Sequence, residues 1–170
     1  MIYRARGRLI QLTQDELNKA KEVGEGRNSA NANSQDKPYY DRAKMQDDAT
    51  ASFAAAAAEC AVAKVFGEQW HAKVWPASEH WLHADEPDVG NDIEVKRIRE
   101  ERSGLVIREK DVALERRVVL AYPIPESEFG VVDVIGWISA KDGWEIGVDS
   151  GRGYKRAAQQ HLHKIPGGKS

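Results

Sequence analysis

Cysteine is almost absent. Cys60 is the one thiol in 170 residues, which excludes an intrachain disulfide and any multi-cysteine zinc cage. A strong charge of either sign is absent too: the net charge is -2 and the pI near 6.2. That argues against binding polyanions through overall charge, while leaving room for a local basic face. Long apolar runs are also missing. The longest, Phe53 to Ala58, is mostly alanine and far short of the roughly 20 residues of a membrane span. The start, Met1 to Arg8, is basic but lacks the apolar stretch and cleavage site of a secretory signal. The expectation is a cytoplasmic protein with no membrane partner. Hydrophobic residues at 41% and charged ones at 31% suit a globular chain, long enough for one domain (1–170) and too short for two.

Thr13-x-x-Glu16 has the spacing of a capping box, and Leu17, Ala20 and Val23 share one face of a helix after it. Gly24 and Gly26 are expected to stop that helix, and the polar residues 27–37 to form a connecting loop. Pro38 is placed to begin a second helix from about Tyr40 to Phe66, ended by Gly67. Its alanines at 54, 55, 57, 58 and 61 suit close packing on a sheet, and Glu59 falls at the margin of the buried face.

Strand patterns follow. Asp92 to Arg99 alternates, with Ile93 and Val95 on one side and Glu94 and Lys96 on the other. Leu105 to Ile107, Arg117 to Tyr122 and Val131 to Ile138 are further strands. Ser103-Gly104 and Lys141-Asp142-Gly143 read as turns. Glu109 to Arg116 offers barely two helical turns, which is compatible with a simple antiparallel meander. A last amphipathic helix is expected over 154–163, before a Gly-rich tail.

The chemistry concentrates at Asp88 and Glu94-Val95-Lys96. Strand alternation puts Glu94 and Lys96 on the same face. A tight turn at Gly90-Asn91 would bring Asp88 beside that strand, with Asp85 and Asp92 as alternative partners. Two carboxylates and a backbone carbonyl, here that of Val95, suffice for magnesium, which keeps several waters. Two neighbouring carboxylates favour an electrostatic role for Lys96 over that of a free base. An ordinary exposed strand face carrying an acid–lysine pair has the same spacing.

Pro87-Asp88 followed by Glu94-Val95-Lys96, behind the alanine-rich helix around Glu59, resembles the signature of the PD-(D/E)XK nuclease superfamily and is similar to its small phage-encoded members. The resemblance spans about residues 50–140. It implies a restriction-endonuclease-like α/β fold, with helices on a mixed, largely antiparallel central sheet and a nuclease-like core over about 40–140. It also implies metal-dependent hydrolysis of DNA, with Mg2+ or Mn2+ on Asp88, Glu94 and the Val95 carbonyl. Lys96 would be the catalytic amine and Glu59 an auxiliary carboxylate. Arg97, Arg152 and Lys155 are the expected substrate contacts, and a homodimer is among the expected partners. A catalytically inactive binding module on the same fold is the alternative.

Between Lys96 and Arg117, eight basic residues face five acidic ones, a modestly positive segment. His80 and His83, or His161 and His163, lack a full zinc ligand set. Trp70, Trp75 and Trp81 suit packing or base stacking.

Overall fold

The capping box closes as its spacing requires: Thr13 N–H donates to Glu16 Oε1 at 2.7 Å and Glu16 N–H to Thr13 Oγ1 at 3.1 Å. The computed structural model describes residues 3–32 and 48–167; at 31, 32, 48, 77 and 81 it describes the backbone alone. From the capping box, α1 (Gln14–Ala32) runs well past the two glycines expected to end it. Gly24 is there because of a neighbour. A Cβ on it would stand 2.7 Å from the Cα of Phe53 in α2 (Asp48–Phe66), so glycine lets the two helix axes close together. Residues 27–32, expected in a loop, are helical, and 33–37 lie outside the described residues. So do 40–47, where the second helix was expected to begin.

The alanines of α2 do what their size suggests. Of the alanines expected to pack closely, Ala54, Ala57, Ala58 and Ala61 are buried, with Ala56 and Val62, between α1 and a sheet, whereas Ala55 is half-buried. The stretch Ala49–Phe66, with a mean hydropathy of 1.3, has the length and apolarity of a membrane span, contrary to the sequence expectation. Half of it is buried inside the fold.

That sheet has the order β1-β5-β4-β2, built from β1 (Arg8–Gln11), β2 (Ile93–Arg97), β4 (Arg117–Pro123) and β5 (Val131–Ser139). β1 and β4 pair antiparallel with β5, whereas β2 runs parallel to β4 at the edge. The connection between the parallel pair carries β3 (Leu105–Arg108) and the short α3 (Glu109–Ala113), because parallel neighbours need a crossover. A plain antiparallel meander is therefore ruled out.

β3 belongs to a second, antiparallel sheet, β3-β7-β6, with β6 (Val148–Asp149) and β7 (Tyr154–Ala157). Leu105, Ile107 and Ala157 from this sheet meet Val118, Leu120 and Ile138 from the first in a second apolar cluster. The helices α1 and α2 thus lie on one face of the larger sheet and the smaller sheet on the other. The fold is mixed α/β with two sheets.

Two more expectations need correction. Lys141-Asp142-Gly143 is not a turn but part of α4 (Ala140–Ile146), which Ser139 caps by accepting from Asp142 N–H at 3.2 Å. Gly143 sits against Ile107, where a side chain has no space. The amphipathic helix expected over 154–163 is β7 followed by one 3-10 turn, Gln159–His161. Pairing with β3 overrides the helical spacing of its residues.

Candidate metal and phosphodiester site

Gly90 makes the site possible. Its φ of +57° suits glycine and turns the chain so that Val89 and Ile93 exchange backbone hydrogen bonds at 3.1 and 3.2 Å. The hairpin sets Asp88 against β2, where its Oδ2 accepts the Val95 N–H at 2.9 Å. Asp92 and Ile98 bond to β4 through their own backbone groups. By alternation the N–H and carbonyl of Val95 point to the free edge of the sheet.

The register places Glu94 opposite Val118 and Lys96 opposite Leu120, on the face turned to the smaller sheet. Ile93 and Val95 pack toward the helices, as the alternation foretold. Lys96 Nζ lies 3.7 Å from Glu94 Oε1 and 3.5 Å from Asp111 Oδ2. Burial, then the neighbouring Asp88, pushes the Glu94 carboxyl up to about 7.

Of the alternatives to Asp88, Asp92 is committed to Arg117 by two 2.7 Å contacts. Asp85 is exposed, and its carbonyl accepts from Arg116. Asp88 is the carboxylate beside Glu94.

Glu59 stands behind the site rather than in it. Arg27 from α1 holds both its oxygens at 2.6 and 2.9 Å, and the Trp70 indole donates to one at 3.4 Å. Burial raises the Glu59 carboxyl against the pull of that guanidinium, and the nearby Asp88 adds to the rise. Arg27 also donates to the Lys73 carbonyl at 2.7 Å, and Lys73 Nζ reaches Asp88 Oδ1 at 3.3 Å. Four carboxylates (Glu59, Asp88, Glu94, Asp111) thus share three cations (Arg27, Lys73, Lys96).

Sequence reasoning missed Arg27, Lys73 and Asp111. Asp111 is the most telling. It is fully buried, its Oδ2 accepts the Arg108 N–H at 2.9 Å, and its Oδ1 is without a hydrogen-bond partner among the described residues. Its place at the third position of a short helix is the one sequence signal it gave.

The expected substrate contacts fall apart in space. Arg97 is half-buried and shares strand parity with Ile93 and Val95, away from Glu94. Lys155 lies over the Trp144 ring at 4.6 Å. Arg152 is exposed in the turn between β6 and β7, not at a helix start. Trp70 packs on the core, and Trp75 stacks on His83 at 3.6 Å; for Trp81 only the backbone is described. His80 and His83 are bound to Trp75 O and Glu86 Oε1.

Among the described residues, no three of His, Cys, Asp and Glu converge as a self-sufficient metal cage. The donors at the sheet edge nevertheless fit magnesium or manganese. They are hard oxygens, two of them carboxylates, with a carbonyl directed to the same edge and water able to fill the rest. No family model, curated protein or solved structure matches this chain.

Proposed function

We propose that this chain hydrolyses DNA phosphodiester bonds with a divalent cation, on a restriction-endonuclease-like plan of the PD-(D/E)XK type. The observation that carries the reading is the gathering of Asp88, Glu94 and the Val95 carbonyl at one free sheet edge, with Lys96 beside them. The parallel pairing of β2 with β4 after a short helix supports the finer fold assignment.

Asp88, Glu94 and Val95 would hold Mg2+ or Mn2+, which supplies a polarised phosphate and a more acidic water. The Lys96 ammonium meets the negative charge that grows on the phosphoryl oxygens. Glu94 and Asp111 hold that ammonium from two sides, so its position is set before substrate arrives. Lys73 is the cation nearest Asp88 and keeps that carboxylate oriented. Glu59, with both oxygens on Arg27, contributes charge and stiffness behind Asp88 rather than an open ligand atom.

The test is cleavage of labelled single-stranded, duplex, nicked and branched DNA with magnesium, manganese or EDTA, wild type beside Lys96→Ala. Cutting that needs the metal and is lost in the variant is the expected result. No cutting of any substrate, with DNA binding equal in both proteins, sinks the hydrolase in favour of a binding module.

A further inference from the structure

A second concave surface lies on the smaller sheet, away from the carboxylates. It is a cleft of about 690 Å³, and its lining includes Arg102, Arg152, Arg156, Tyr154 and Gln159. The three arginines are exposed and have no carboxylate partner among the described residues. The acid in the lining, Asp149, is turned to its own loop, where its Oδ1 accepts the Gly151 N–H at 2.8 Å.

The cleft is built, not incidental. Gln159 Nε2 donates to the carbonyls of Glu101 and Ser103 at 2.6 and 2.9 Å, pinning the loop that carries Arg102. Ser150 Oγ donates to the Tyr154 carbonyl at 2.7 Å and accepts the Arg152 N–H at 3.0 Å, which shapes the opposite wall. Three guanidiniums in one hollow, with no carboxylate partner among the described residues, suit phosphate oxygens, which their planar forks can bind two at a time. The exposed Val148 on the rim offers an apolar surface to a sugar or base.

The cleft also connects to the carboxylates. The Tyr154 ring lies under both Arg156, at 5.8 Å, and Arg108, at 5.7 Å. Arg108 occupies the N-cap position of α3, and its N–H donates to Asp111, which stands beside Lys96.

We propose that the cleft binds the phosphate backbone of a nucleic acid, and that the strand runs from Arg102, Arg152 and Arg156 over Tyr154 and Arg108 toward Glu94. The second half of this path rests on the hydrolase reading; the cleft itself does not. It also accounts for nucleic-acid binding by a chain of net charge -2, since a local basic hollow does what overall charge does not.

The experiment is fluorescence anisotropy of a labelled oligonucleotide, single-stranded and duplex, in EDTA across a salt series. Wild type is compared with Arg102→Gln/Arg152→Gln/Arg156→Gln and with Arg152→Gln alone, and equal melting temperatures confirm folding. The triple variant is expected to bind at least about tenfold more weakly, with the slope of log affinity against log salt reduced by about one unit per arginine lost. The single variant shifts the slope by about one unit. Affinity and slope equal to wild type overturn the proposal. Loss of binding to a free mononucleotide with DNA binding intact overturns it too, in favour of a nucleotide pocket. Hydrolysis of a small phosphodiester reporter separates the two readings. Arginine-dependent DNA binding in a protein that cuts neither reporter nor DNA upholds the cleft and removes the hydrolase.

Discussion

The Asp111 carboxylate stands 3.5 Å from the Lys96 ammonium, a contact between two elements that share no local sequence signal. One of its oxygens caps α3 and the other has no hydrogen-bond partner among the described residues. In the proposed hydrolase Asp111 is thus a positioning residue, acting through the Lys96 ammonium that it holds.

Asp111→Asn keeps the shape and weakens the hold on Lys96. Metal-dependent DNA cleavage is expected to fall by about 10- to 100-fold in kcat with KM little changed, since the ammonium acts on charge formed in the transition state. Asp111→Glu is expected to recover part of the loss. A KM effect alone, or Asn behaving as wild type, counts against the assignment.

The Glu94 carboxyl, raised to about 7 by burial and then by Asp88, gives stability a pH dependence of definite sign. Between its ordinary value of 4.5 and about 7, the folded chain keeps a proton that the unfolded chain has released. This group's contribution to stability therefore falls as pH rises through that window and is level above it. Glu94→Gln is expected to melt higher than wild type at about pH 8 and close to it at about pH 4.5. In the proposed hydrolase magnesium would bind the ionised form, so its stabilising shift in melting temperature should grow as pH rises through 7 in wild type and shrink in the variant. Scanning calorimetry with and without the metal checks both directions.

Arg27→Met leaves Glu59 buried without its partner. The expected loss is about 3–5 kcal/mol, read as a drop in the urea midpoint. Arg27→Met combined with Glu59→Leu removes both charges and should recover most of it, since the oxygens then have nothing to satisfy. A double variant as unstable as the single one would show that packing, not the unpaired charge, sets the cost.

Gly24→Ala pits helix propensity against packing. Alanine favours the helix by about 1 kcal/mol, but its methyl would press on the Phe53 backbone. Backbone yields less readily than a side chain, so the net change is expected to be a destabilisation of about 1–3 kcal/mol, measured by thermal unfolding. Stabilisation would mean that α1 slides along α2 without penalty.

β2, β4 and β5 were legible because their patterns report burial directly: Ile93 and Val95 share one side of β2, and Val131 to Ile138 is mostly apolar. β1 was not, since Arg8-Leu9-Ile10-Gln11 is too short to show a period. The glycines misled for one reason. Gly24 and Gly143 look like stop signals in a linear reading, yet both sit inside helices because Phe53 and Ile107 occupy the space a side chain would need. At the site, Asp88, Glu94 and Lys96 stood out because a single hairpin gathers them. Arg27, Lys73 and Asp111 come from distant segments, and nothing local marks them among the other charges.

Asp88 does one more thing from its place against β2. The outer strand of an open sheet offers a row of backbone donors and acceptors to any extended chain that drifts past, and here the carboxylate occupies the Val95 N–H in the middle of that row. The residue offered to chemistry is therefore also the stopper against strand addition by a second molecule. On the proposed function, self-association and catalysis are opposed at one atom pair, and a chain that gave up Asp88 would lose its guard against aggregation along with a proposed metal ligand.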